Sequence, residues 1–120
     1  MADAEIKYDL HDSAIASVSI GPTREVAFTI DLYPTFYPKK PRVVLRFGGI
    51  ANYEKVRNYV RELEAEADER DYIGCRIDCF QFDTKKESLA GDYWFFLQTD
   101  WQGPVRIHCS KMTMTEVPAS

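Results

Sequence analysis

The sequence predicts an α+β domain: a mostly antiparallel six-stranded sheet, curled or folded into a β-sandwich, with one helix, in the order βββ-α-βββ. Three observations carry that prediction. Apolar and polar residues alternate in six segments, the period of a half-buried strand. A single stretch, residues 53–67, spaces its apolar residues as a helix does. Short turns join most neighbours, whereas parallel strands need crossovers of about a dozen residues. A chain of 120 residues is the size of one domain, taken here as 1–120.

Residues 13–20 form the first extended segment, which Gly21-Pro22-Thr23 ends with a turn signal. In residues 24–33, Val26, Phe28, Ile30 and Leu32 share one face, while Glu25, Thr29 and Asp31 share the other. The two segments read as a hairpin closed by a three-residue turn. Residues 34–41 are a loop, because Pro34, Pro38 and Pro41 lack the N–H a ladder requires. Residues 42–50 return as a strand with Val43, Leu45 and Phe47 inward and Gly48-Gly49 at its close. Tyr53, Val56, Val60, Leu63 and Ala67 then draw one apolar stripe down a helix, with Asn52 placed as its N-cap. Beyond Leu63 the stripe fades toward a loose loop. Three strands finish the chain at 72–83, 92–99 and 105–115. The run Tyr93-Trp94-Phe95-Phe96 is aromatic on both faces, so its strand should be central or covered on both sides. Edge strands of an open sheet can pair with a second copy, which leaves a homodimer open.

Composition excludes several classes. With 45% hydrophobic and 28% charged residues the chain is neither disordered nor fibrous. No apolar run approaches the roughly 18–20 residues of a membrane span. The opening Met-Ala-Asp-Ala-Glu is acidic, the opposite of a secretory signal, so a cytoplasmic protein is expected. Fifteen bases against nineteen acids give a net charge of −4, which argues against a grip on nucleic acid. Cys75, Cys79 and Cys109 are odd in number and fit a reducing compartment. On a strand, Cys75 and Cys79 stand about 13 Å apart, too far for a disulfide. Each of the three alternates with apolar neighbours and is expected in the core.

Catalytic and metal motifs are sparse. His11-Asp12-Ser13 holds the residue types of a hydrolase triad, but such groups must converge from separated positions. The simpler reading is the start of a strand, with Asp12 and Ser13 bonding local amides. His108 alternates with Ile107 and Cys109 and should point to solvent beside Arg106. No spacing suits a metal or a phosphate loop, so no cofactor and no metal are expected.

Two surface features stand out. Phe36 and Tyr37, followed by Lys39 and Lys40, sit in a loop stiffened by proline, and aromatic anchors of this kind dominate interfaces. The same aromatics could instead fold back as a lid on the core. Trp101 occupies a hairpin tip between Asp100 and Gln102. The second feature is acidic: Glu62, Glu64, Glu66, Asp68, Glu69 and Asp71, with Arg70, give residues 62–71 a charge of −5. Acids at a helix C-terminus oppose its dipole, so the patch reads either as a solvated end or as a surface for a basic partner. Its acids lack the glycine and spacing of a calcium loop.

Tyr8-Asp9-Leu10-His11-Asp12-Ser13-Ala14-Ile15, the strand Val43-Val44-Leu45-Arg46-Phe47-Gly48-Gly49-Ile50 and the two closing strands resemble a broad group of small bacterial β-rich proteins. These begin a strand with His-Asp-Ser, and some of them are similar to immunity proteins of contact-dependent toxin systems. The resemblance implies a small non-enzymatic cytosolic protein that binds another protein. The expected function is accordingly a protein-binding module of immunity type. Its partner surface would comprise Phe36, Tyr37, Lys39, Lys40, Trp101, Glu62, Glu64, Glu66, Asp68 and Glu69. Two alternatives stand beside it. One is a carrier of a small apolar ligand, with Tyr93 and Phe95 lining a cavity in the curled sheet. The other is a hydrolase using His11 or His108.

Overall fold

Alternating apolar residues build seven strands rather than six. The computed structural model describes residues 4–39 and 42–117. In order they form β1 (Ala14–Ile20), β2 (Val26–Asp31), β3 (Arg42–Gly48), α1 (Tyr53–Ala65), β4 (Cys75–Phe82), β5 (Tyr93–Thr99), β6 (Gly103–Cys109) and β7 (Lys111–Val117). All named strand pairs are antiparallel, in one sheet ordered β6-β5-β4-β1-β2-β3-β7. The sheet is neither closed nor strongly curled, which corrects that part of the expectation.

The extra strand comes from the expected last one, residues 105–115. Its first half, β6, pairs with β5; its second half, β7, pairs with β3 at the other end of the order. Val105, Ile107 and Cys109 are buried, then Met112 and Met114, so the parity of the inward face changes across Ser110. There the Ser110 N–H bonds to Gly48 O at 3.2 Å as the chain leaves one partner for the other. Gly49 lies against this passage with φ +60°, and a Cβ on it would stand 2.0 Å from Ser110 Oγ. Conformation and space both ask for glycine at that position.

Two further differences have local causes. Ile20 pairs with Val26 and the Gly21 N–H bonds to Glu25 O at 2.8 Å, so residues 21–25 make a wider loop than the three-residue turn expected. In β4 a bulge between Ile77 and Cys79 re-aims the side chains. Cys75 and Ile77 are buried, but Phe80 takes the next inward place and Cys79 is only half-buried.

One core joins these elements. Ile15, Phe28, Ile30, Leu45 and Phe47 meet Phe95, Leu97 and Ile107 of the other strands and Val56, Val60 and Leu63 of α1. Phe95 is its centre, with ring centroids 5.5 Å from Phe47 and from Phe80 and 4.7 Å from Phe82. Tyr93, one of the residues given to the carrier reading, joins the same cluster, its ring 6.3 Å from Phe95.

The helix is fixed to the β5–β6 hairpin at its N-terminus and at its middle. The Tyr59 hydroxyl donates to Gly103 O at 2.8 Å and shares a 2.8 Å hydrogen bond with Thr99 Oγ1. Burial pushes its pKa up to about 12. Asn52 does precede the helix, but its side chain does not cap it. Asn52 Nδ2 instead donates to Arg106 O at 2.8 Å, and its Oδ1 accepts the His108 N–H at 3.0 Å. With the Ala51 N–H on His108 O at 2.7 Å, these bonds blunt the outer edge of β6.

Candidate functional site

Strand register brings together segments that lie far apart in the chain. Arg42 pairs with Asp31, Asp31 with Ala14, and Ala14 with Arg76. At about 4.8 Å per strand this row is roughly 14 Å long. Arg42 Nε donates to Asp31 Oδ1 at 2.7 Å. The Arg76 N–H bonds to Asp100 Oδ1 at 2.9 Å, beside the hairpin tip that carries Trp101. The Tyr72 hydroxyl reaches Asp31 Oδ2 at 3.3 Å and ties the acidic loop to the same row. The proline-bearing loop between β2 and β3, the acidic segment and the Trp101 tip therefore border one stretch of surface.

The loop aromatics divide between the two readings given to them. Phe36 is 49% exposed, its ring resting 5.2 Å from Tyr33. Tyr37 is half-buried: it meets Tyr8 edge-on at 5.5 Å, and its hydroxyl accepts the Asp9 N–H at 2.8 Å. Phe36 is surface and Tyr37 is lid. Lys39 is exposed, and Lys40 lies outside the described residues. Trp101 is 45% exposed, and Tyr72, which sequence reasoning did not single out, is 36% exposed.

The acids divide as well. Asp68 Oδ1 accepts the N–H of Arg70 at 2.8 Å and of Tyr72 at 3.0 Å. The Tyr72 bond first, then the Arg70 bond, hold its carboxyl below the ordinary Asp range. Glu62, Glu64, Glu66 and Glu69 are exposed, and no side-chain hydrogen bond or ion pair engages them among the described residues.

Of the residues considered for catalysis, His11 and Asp12 pair with each other, while Ser13 is engaged elsewhere. His11 Nδ1 stands 3.3 Å from Asp12 Oδ2, while the buried Ser13 hydroxyl accepts the Tyr33 N–H at 2.9 Å. Ser13 thus bonds across to the end of β2 rather than locally. Burial pushes the Cys75 and Cys109 thiols up to about 12, away from reactive thiolates. Among the described residues no three His, Cys, Asp or Glu side chains gather as metal ligands. His108 points outward as expected but is not simply solvated. It stacks on Trp94 with centroids 4.2 Å apart and planes at 9°, and its Nε2 is paired with Asp92 Oδ1.

A second constellation, not foreseen as a site, surrounds that stack. Asn52, Lys55, Lys85, Lys86, Trp94 and Arg106 line an open cavity of about 580 Å³. Asp83, 4% exposed, organises its wall. One Asp83 oxygen accepts Arg106 Nε at 2.9 Å and the other accepts the Lys85 N–H at 3.0 Å. The Asp83 N–H bonds in turn to Trp94 O at 2.9 Å. A lone Asp in a polar connection between two strands gives no sequence signal of this kind.

The architecture defines a small α+β domain with an antiparallel sheet and two candidate surfaces, one aromatic and acidic, the other aromatic and basic. No family model, curated protein or solved structure matches the chain. No helix among the described residues is long and apolar enough to cross a membrane.

Proposed function

We propose that this protein is a non-enzymatic binding module that covers a functional surface of a basic protein partner. One observation carries the reading: the register row Arg42–Asp31–Ala14–Arg76, with Tyr72 and Asp100 bonded to it, adjoins the segments bearing Phe36, Trp101 and the acidic loop. Within the row Arg42 and Asp31 pair with each other. Unpaired acids, Glu62, Glu64, Glu66 and Glu69, outnumber the exposed bases Lys39 and Arg76 in these segments among the described residues, hence a partner of opposite sign. In such an interface the aromatics supply contact energy, and the carboxylates supply steering and specificity. Phe36 and Trp101 are the residues expected to matter most. Tyr37 and Asp68 hold the surface in shape.

Affinity capture from the native host tests the proposal, using the wild type, Phe36→Ala/Trp101→Ala, and Glu62→Gln/Glu64→Gln/Glu66→Gln. The expected result is a basic protein retained by the wild type, its affinity weakened about tenfold or more by the aromatic pair. Its association rate should fall with added salt, and less steeply for the glutamine variant. Recovery of no specific protein, or an affinity unchanged by the aromatic pair, overturns the reading.

A further inference from the structure

A chain of net charge −4 gathers four of its fifteen bases around one cavity: Lys55, Lys85, Lys86 and Arg106. They come from three separate elements, the helix, the β4–β5 connection and β6. Like charges brought together repel, and of the four only Arg106 has an ion-pair partner among the described residues. No acid lines the cavity itself. Asp83 balances one charge through Arg106, and Asp92 is paired with His108. Glu54 in the first turn of α1 and the exposed Glu87 beside Lys86 are the remaining acids nearby.

The wall is built, not incidental. Asp83 is nearly fully buried, and it fixes both the Arg106 guanidinium and the backbone of the loop that carries Lys85 and Lys86. Ser88 Oγ accepts the Trp94 N–H at 3.0 Å, which ties the far end of that loop to β5. Trp94 is backed by the His108 ring, and Lys86 Nζ lies 5.2 Å from its ring centroid, a cation–π contact. Asn52 spends its side chain on β6 and leaves the first turn of α1 without a side-chain cap, next to the cavity that Asn52 and Lys55 line. Open amides at a helix N-terminus add to the positive field of the lysines.

From this geometry we infer that the cavity lined by Lys55, Lys85, Lys86, Arg106 and Trp94 binds a phosphorylated small molecule bearing a flat ring. The phosphates sit among the four cations and the ring lies along the indole. Arg106 suits phosphate because its fork is held in place while its other N–H groups stay available. The volume, about 580 Å³, falls in the range of small-molecule sites and exceeds what a bare ion fills. Lys86 now covers the indole and is the group placed to move onto a phosphate, uncovering the ring. This surface is separate from the one assigned to a protein partner, and neither reading depends on the other.

The test is an amide-resolved NMR titration of the whole chain, at low ionic strength, with pyrophosphate and with ADP. Both probes should shift the signals of residues 52–56, 83–88, 94 and 106 before those of other lysines. ADP should bind several-fold more tightly than pyrophosphate, because only ADP offers a ring to Trp94. Lys85→Glu/Lys86→Glu, at exposed positions whose loss leaves the core intact, should weaken both probes at least tenfold while the rest of the spectrum is preserved. No localised shift at millimolar probe overturns the site, as does binding indifferent to the charge reversal. Equal affinity for the two probes overturns the part given to Trp94 and reduces the ligand class to simple polyanions.

Discussion

Residues 62–71 hold six acids against one base, while residues 83–88 hold two of each and look unremarkable in the sequence. In the folded chain the contrast reverses. Glu62, Glu64, Glu66 and Glu69 extend into solvent without side-chain partners among the described residues. Asp83 alone is buried, and it fixes a guanidinium, a loop and the strand beside it. Counting charges identifies where a field is strong; it does not identify which carboxylate the structure depends on. Burial with satisfied bonds makes that distinction, since a desolvated carboxylate is tolerated only when its lone pairs are occupied.

The widest separation between the two regions should appear on truncation. Asp83→Ala removes the acceptor of Arg106 Nε and of the Lys85 N–H. Hydrogen bonds to a charged group contribute about 1.5–3 kcal/mol, and breaking a fully buried pair costs more. Arg106 keeps 36% of its side chain in solvent and so recovers part of its hydration. The expected loss is therefore about 2–3 kcal/mol in urea unfolding, with a smaller loss for Asp83→Asn, which still offers an oxygen to Lys85. An effect of Asp83→Ala no larger than that of removing exposed glutamates would erase the contrast.

Much of the fold was legible in the sequence because strands and helix each keep a strict period. Val26, Phe28, Ile30 and Leu32 on β2, and Val56, Val60 and Leu63 on α1, are buried as their spacing requires. Even the division of the last strand leaves a trace. The inward positions pass from Val105, Ile107 and Cys109 to Met112 and Met114, a change of parity that signals a break at Ser110. The bulge in β4 leaves a weaker trace, since Cys79 and Phe80 are both apolar and either could face inward. The candidate sites were legible only in part. Phe36, Trp101 and the acidic run are recognisable by residue type, but their adjacency follows from the pairing of β1 with β4, which no local pattern encodes. The cavity at Trp94 joins residues 52–55, 83–86, 94 and 106, and Asp83 there resembles any other aspartate of a polar turn. Its partners are set by tertiary structure.

Asp68 lies between the two extremes, an acid of the exposed segment that nonetheless organises its own loop. Bonds from the Tyr72 and Arg70 N–H groups hold its carboxyl, in the folded state, below the ordinary Asp range. A depressed folded pKa contributes stability that is present above the unfolded value and is lost as pH falls through the folded one. Wild type should therefore exceed Asp68→Asn in stability at pH 6. The difference should begin to shrink as pH drops below about 3.9, the unfolded value, and close once it passes the lower folded value, where the carboxyl is neutral like the amide. Urea midpoints for the two proteins measured across that interval decide it. A difference that persists undiminished at low pH would assign the loop's order to something other than the ionised carboxylate.

The smallest effect, and the one with the opposite sign, belongs to the exposed glutamates. The last turn of α1 holds no basic residue, and Glu62 and Glu64 stand near its C-terminus, with Glu66 at the cap position. A negative charge there opposes the helix dipole by about 0.3–1 kcal/mol at low ionic strength, and less when it is fully solvated. Glu62→Gln/Glu64→Gln/Glu66→Gln should thus unfold at an equal or slightly higher urea concentration, a gain between zero and roughly 1 kcal/mol in all. That gain should vanish near 1 M salt, where the Debye length shrinks to about 3 Å. Stability gained by removing charge, together with partner association slowed by the same change, places these acids where function rather than folding requires them. A clear loss of stability would give them a structural role after all, and the contrast with Asp83 would narrow to one of degree.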